Sequence, residues 1–216
     1  MNQKKAMGKL IAFEGIDGSG KTTVAARLAA LLQEDGCRVV LTREPGGEKV
    51  DPAIRNLLKN GLFHETPAAE FLLFAADRAA HMAQCIEPEL ARGAIIISDR
   101  MADSSYAYQA YGRGIDLEMV ATINRWIMRD IKPDLTVYLI IDYATAQERI
   151  HGRHNNHKIY DHERASFFRQ VTKGYDTLYQ NRSDVLRIDA TLPLEKIVSM
   201  VHQRVCDLIG TDASHD

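Results

Sequence analysis

The chain has little cysteine, no long apolar run and almost no net charge. Cys37, Cys85 and Cys206 are its three cysteines, spread over 216 residues without a C-x-x-C pair. That spacing excludes a disulfide framework and predicts buried thiols in a reducing compartment. No stretch approaches the ~18 consecutive apolar residues of a membrane helix. The first residues are short and basic, and the apolar run after them is too brief for a signal peptide, so a cytoplasmic protein without a membrane partner is expected. A net charge of −2 supplies no global field for nucleic acid. No Ser/His/Asp or Cys/His set suggests an activated nucleophile. His151, His154, His157 and His162 crowd one polar segment but lack the tight His/Cys pairing of structural zinc sites, so no metal is assigned to them. The lone Trp126 reads as packing on a helix.

What is present begins with Gly15-Ile16-Asp17-Gly18-Ser19-Gly20-Lys21-Thr22, the pattern G-x-x-x-x-G-K-T. A strand-length apolar run, Leu10 to Glu14, precedes it. A helical run rich in Ala and Leu, from Thr23 to Leu32, follows it. In that context the glycines allow a nest of backbone N–H groups, and the helix N-terminus behind them adds partial positive charge. Lys21 reaches the β- and γ-phosphates of a bound nucleoside triphosphate, and the Thr22 hydroxyl is a ligand for Mg²⁺. The loop names the phosphate donor class and leaves the acceptor open.

Strands and helices then alternate. Further strands are expected at Cys37–Thr42, Ala94–Ser98, Leu135–Ile141 and Val185–Asp189. Helices are expected from about Val50 to Lys59, from Pro67 to about Arg92 with a kink or break at Pro88, and from Asp116 to about Ile131. Others run from Ala144 to Ile150, Asp161 to Asn181 and Leu194 to Ile209. The composition, 45% hydrophobic and 26% charged, suits one globular domain over 1–216. The expected fold is α/β: three layers, a five-stranded parallel sheet with helices on both faces, and ligands beyond the carboxyl ends of the strands.

Four segments fall near those ends or on adjoining helices. They are Thr42-Arg-Glu-Pro-Gly-Gly47, Phe71 to Arg78, Asp99-Arg100 with the downstream Tyr108-Gln109, and the polar segment with Arg149 and Arg153. Asp99 closes an apolar strand, the place of a second Mg²⁺ carboxylate; it also suits a helix N-cap, and the two roles are compatible. Arg100 is a forked phosphate donor. Phe74 and Arg78, four apart on one helix face, suit a planar base with carbonyl oxygens.

Together these segments resemble the thymidylate kinase family. The resemblance rests on F-E-G-x-D-G-x-G-K-T-T, T-R-E-P-G-G, L-F-A-x-D-R, D-R with S-x-x-A-Y-Q and G-R-G, P-D-L-T-x-Y-L, and I-D-A-T. It covers nearly the whole chain and implies a P-loop NTPase fold, transfer of phosphate from ATP to dTMP with Mg²⁺, and a homodimer. It implies that Gly15 to Thr23 bind ATP, with Thr23 closing the loop. It places Phe74 on the base, Arg78 at a ring oxygen, Arg100 on the acceptor phosphate, Ser105 at the base edge, and Tyr108 and Gln109 around the deoxyribose. Asp17 reaches the acceptor's sugar or phosphate, and Arg43 and Pro45 wall the acceptor. The segment 149–161 corresponds to a lid over ATP. With no arginine among Asp17, Gly18 and Ser19, Arg149 and Arg153 correspond to the family's lid-supplied catalytic cations, alongside Lys21 and Arg100.

The chain departs from the family pattern at Glu48, Met101, Ala110 and Lys158–Asp161. The alternatives are a related kinase with another deoxynucleotide or deoxynucleoside as acceptor, and a catalytically weak nucleotide-binding protein. A GTPase-type switch is disfavoured because no N-K-x-D motif is present.

Overall fold

The computed structural model describes residues 8–47, 52–61, 63, 65–129, 131–152 and 162–210. Five strands are present among them: β1 (Lys9–Glu14), β2 (Val39–Arg43), β3 (Ile95–Asp99), β4 (Leu135–Ile140) and β5 (Val185–Asp189). They pair in the order β2-β3-β1-β4-β5, every pair parallel. All carboxyl ends therefore share one edge of the sheet. Phe13 and Arg43 both stand in register with Asp99 there.

The helices are α1 (Lys21–Glu34), α2 (Pro52–Lys59), α3 (Pro67–His81), α4 (Glu87–Ala91), α5 (Ala102–Ser105), α6 (Leu117–Met128), α7 (Tyr143–Gly152), α8 (His162–Tyr179) and α9 (Leu194–Ile209). Strand alternation divides the core in two, because successive side chains leave opposite faces. Ile11, Phe13, Ile95 and Ile97 pack with Leu28 and Leu32 of α1, Val171 and Tyr175 of α8, and Val201 and Val205 of α9. Leu10, Ala12 and Ile96 pack on the other side with Ala75 of α3 and Ile127 and Met128 of α6. Each fully buried Leu or Ile contributes about 1.5–3 kcal/mol relative to exposure. The inner strands β1, β3 and β4 are largely apolar because both of their faces are covered, whereas the edge strands β2 and β5 carry exposed and charged positions.

Two local expectations change. The helix expected through Pro88 is interrupted just before that residue and not at it. A π-helical stretch, Met82–Ile86, joins α3 to α4, and the Glu87 N–H bonds back to the Met82 carbonyl. The wider turn just before Pro88 accommodates a residue without an N–H, and the chain continues in helical backbone into α4. A second π-helical stretch, Tyr106–Gly112, follows α5 and was not expected at all. The Asp116 N-cap is present, its Oδ1 accepting from Met119 N at 2.8 Å. No described helix is long and apolar enough to cross a membrane. Arg153, His154, His157 and the 153–161 part of the expected lid, with Glu48, lie outside the described residues.

Candidate functional site

The phosphate loop takes its shape from backbone that side chains would block. Gly15 has φ +138°, and a Cβ there would sit 2.5 Å from the Leu139 carbonyl oxygen. Gly18 has φ +86°, and its Cβ would meet the Ala146 carbonyl at 2.4 Å. Gly20, also left-handed, leads into α1. The first turn of α1 directs its free N–H groups at the loop. Lys21 is buried; its Nζ donates to the Ile16 carbonyl at 2.8 Å and lies 3.4 Å from Ser19 Oγ. Burial above all, then the nearby Arg100, brings the Lys21 amine down to about 8, against the pull of Asp17, Asp99 and Glu14. The Thr22 hydroxyl donates to Asp99 Oδ2 at 2.5 Å. Two hard oxygen donors thus meet between α1 and the end of β3, a set suited to Mg²⁺.

Arg100 follows Asp99 with φ +78°, a backbone conformation that costs a residue with a Cβ about 1–3 kcal/mol. It persists because its neighbours hold it. Its N–H donates to the Phe13 carbonyl at 3.0 Å, and Ser98 Oγ donates to its own carbonyl at 2.7 Å. The guanidinium donates to Asp17 Oδ1 (2.7 Å), Ser104 Oγ (2.9 Å) and the Tyr108 hydroxyl (3.2 Å), and lies over the Tyr108 ring.

Behind Arg100 is a carboxylate that the sequence reading treated only as the end of a strand. Glu14 is fully buried. It accepts from Met101 N (2.8 Å), Ser104 N (3.3 Å), Ser104 Oγ (2.6 Å) and the Tyr175 hydroxyl (2.8 Å). Burial and the charge of Asp103 raise it to about 7, despite Arg100 and the bonds from Ser104 and Met101. Glu14 therefore links the strand entering the phosphate loop to the turn that carries Arg100. A glutamate closing an apolar strand next to the glycine loop was the available signal.

The Thr42–Gly47 loop is held from α3. Asp77 accepts from Gly46 N with both oxygens, at 2.9 and 3.1 Å. The Glu44 carboxylate lies between two cations: Arg78 Nε donates to Oε2 at 2.8 Å, and His81 Nδ1 lies 3.1 Å from Oε1. His81 Nε2 is 2.8 Å from Thr42 Oγ1. Burial opposes the charged imidazole, but Cys85 and Glu44 outweigh it and raise His81 to about 9. A protonated His81 donates to both Glu44 and Thr42. Arg78 also donates to the Oδ1 of the buried Asn124 at 2.6 Å.

One cavity of about 490 Å³ unites these parts. It is lined by Asp17, Gly18, Gly20, Lys21, Thr22 and Thr23 of the phosphate loop, by Arg43 and Pro45, by Phe74 and Arg78, by Asp99 and Arg100, and by Ser105, Tyr108 and Gln109. Gly15, Ile16 and Ser19 shape the loop from behind and are not on the lining. Arg149 is also off it: in α7 its Nη2 donates to the Ala190 carbonyl at 2.9 Å. Arg78 lines the cavity with most of its donors already engaged. Arg55 and Lys59 of α2, which sequence reasoning passed over, also reach the cavity. Their i, i+4 spacing was the missed signal. Arg55 additionally donates to the Pro45 carbonyl.

The arrangement sets cations on two sides of a space able to hold two phosphate groups, with a half-buried ring at one end. A family model described as thymidylate kinase matches residues 13–201. A protein named thymidylate kinase from Pelotomaculum thermopropionicum is 43% identical over 194 residues, covering 89% of this chain and 90% of that protein. One from Halothermothrix orenii is 40% identical, covering 92% and 96%. One from Clavibacter michiganensis is 38% identical, covering 96% and 99%.

Proposed function

Since this chain belongs to the thymidylate kinase family, we propose that it transfers the γ-phosphate of ATP to dTMP, yielding ADP and dTDP. The observation that carries the reading is one cavity bringing Lys21 and Thr22 together with Arg100, Phe74 and Arg78. The nucleophile is a phosphate oxygen of dTMP, largely dianionic at neutral pH because its second pKa is ~6. No general base is needed. The obstacle is repulsion: two unit charges about 4 Å apart cost about 4 kcal/mol at an effective dielectric of 20.

Each residue answers part of that obstacle. Lys21 holds the donor phosphates. Arg100, kept in place by Asp17, Ser104 and the Glu14 turn, holds the acceptor phosphate. Phe74 stacks on thymine, and Arg78, held by Glu44 and Asn124, faces a ring oxygen. Ser105, Tyr108 and Gln109 surround the sugar and base edge, and Arg43 and Pro45 close the wall. Arg149 and Arg153 are the lid cations, the first leaving the Ala190 carbonyl to serve. Thr22 and Asp99 would hold Mg²⁺, which when bound neutralises phosphate charge.

A homodimer and a cytoplasmic location complete the proposal. Met119 and Trp126, seven residues apart on one stripe of α6, are 54% and 78% exposed. Leu72 on the adjoining α3 is 56% exposed, so a second copy of the chain is the fitting cover.

The test is an acceptor panel of dTMP, dUMP and thymidine with Mg²⁺ and ATP, scored by ADP release and by direct detection of dTDP. dTMP is expected to turn over fastest, with dUMP behind by roughly 10–200-fold, the worth of one methyl group. Faster turnover of thymidine, or no dTDP, overturns the reading.

A further inference from the structure

Asp35, Cys37, His202 and Cys206 are far apart in sequence in two pairs, and the fold brings the pairs together. α1 ends at Glu34, and Asp35 and Cys37 follow in the turn through Gly36, whose φ is +81°. α9 packs along α1 and presents His202 and Cys206, spaced i, i+4 on one face. His202 Nε2 lies 2.7 Å from Asp35 Oδ2 and 3.7 Å from Cys206 Sγ. The three ligand atoms fall within 4.8 Å of one another. We propose that Asp35, His202 and Cys206 form a binding site for a thiophilic divalent cation, zinc by its chemistry.

The geometry suits that ion. Zinc bonds of about 2.0 Å to nitrogen or oxygen and about 2.3 Å to sulfur place tetrahedral ligands roughly 3.2–3.8 Å apart. The carboxylate oxygen approaches Nε2 directly, while the sulfur lies beside the ring, 3.7 Å from Nε2 and 3.9 Å from Nδ1. Rotation of the His202 and Cys206 side chains brings all three ligand atoms onto one ion, which then takes the place of the proton in the His202–Asp35 hydrogen bond. One ligand from the turn after α1 joined to a helical pair, His-x-x-x-Cys, collects the three ligands from two elements, as small zinc sites do.

The site is distinct from the catalytic one in place and in chemistry. It lies at the far end of α1, about 20 Å along the helix from the phosphate loop. Its thiolate and imidazole favour soft or borderline metals, whereas the hydroxyl and carboxylate of Thr22 and Asp99 favour Mg²⁺. Its effect would be to clamp α1, the helix behind the phosphate loop, to α9.

The test uses the full chain, stripped with EDTA and titrated with Co²⁺ without nucleotide. One equivalent is expected to produce visible d–d bands and a near-ultraviolet thiolate-to-cobalt band. Cys206→Ala should abolish the thiolate band and His202→Ala should weaken or abolish it. Both variants should keep wild-type far-ultraviolet dichroism and kinase turnover. Zn²⁺ should raise the unfolding temperature of the wild type and not of Cys206→Ala. Absence of the thiolate band, its survival in Cys206→Ala, or d–d bands without sulfur character overturns the site. None of these readouts depends on the acceptor being dTMP.

Discussion

Arg100 Nη2 donates to Asp17 Oδ1 at 2.7 Å, joining the turn after β3 to the phosphate loop. The two loops converge because β1 and β3 are adjacent and parallel, so both end at the same edge. Arg100→Lys keeps the charge but loses the fork. A charged hydrogen bond contributes about 1.5–3 kcal/mol, so kcat/KM for dTMP should fall roughly ten- to a hundredfold. Steady-state kinetics with each substrate varied would check this, and unchanged dTMP parameters would remove Arg100 from the acceptor site.

Glu14 should make stability depend on pH. Its ordinary value is 4.5, and in the fold it is raised to about 7. The native state therefore binds the extra proton between those values, and its contribution to stability is lost as pH rises through 7. The raised value corresponds to about 3 kcal/mol at full effect. Glu14→Gln lacks this dependence. From pH 5 to pH 8 its stability relative to wild type should improve by about that amount, whatever constant penalty the amide carries. Urea midpoints at the two pH values test it; a pH-independent difference refutes it.

Lys21, brought down to about 8 without ligand, should regain its charge when phosphates arrive. ATP binding above pH 8 should take up a proton, and affinity should fall by up to about tenfold per pH unit. Calorimetry at pH 8.5 in buffers of different ionisation enthalpy would measure the uptake. Lys21→Met should bind weakly and without it.

Glu44→Gln should strand Arg78 and His81 in the interior. Removing one partner of a buried ionic cluster typically costs about 3–5 kcal/mol. A thermal or urea melt should register that loss, and KM for dTMP should rise more than KM for ATP. A melt within experimental error of wild type would argue against a charged His81.

Trp126→Glu should convert the proposed homodimer to a monomer, because it puts a charge into the apolar stripe it shares with Met119. Light scattering at micromolar concentration would report the mass. A wild-type monomer would refute the homodimer, and a variant that stays dimeric would move the interface elsewhere.

The sheet was readable because its inner strands are largely apolar runs bounded by glycine, proline or charge, and its edge strands keep short β-branched stretches. The cavity's main residues were readable as motifs, since Lys21 and Thr22 open α1 after the glycine loop and Asp99 and Arg100 close β3, where backbone groups stay free for ligands. The Tyr106–Gly112 stretch was not readable: its aromatics at 106, 108 and 111 follow neither a 3.6- nor a 2-residue period, and it packs against α8, which lies far along the chain. Nor did Glu14 announce its four donors, because three of them come from residues 101–104 and one from Tyr175, 161 positions away. The Asp35–His202 contact spans 167 positions and arises only once α9 lies on α1. Local patterning carries no record of such pairings.

Gly18 presses its backbone so closely on α7 that no methyl group fits between it and the Ala146 carbonyl. The helix that bears Arg149 and leads toward residue 153 is thus in hard contact with the floor under the triphosphate. There is no compliant side chain at that joint to absorb a displacement. Tilting of α7 would be transmitted directly to the loop's N–H groups, so the grip on the donor and the position of the arginine-bearing helix would change together as one rigid lever.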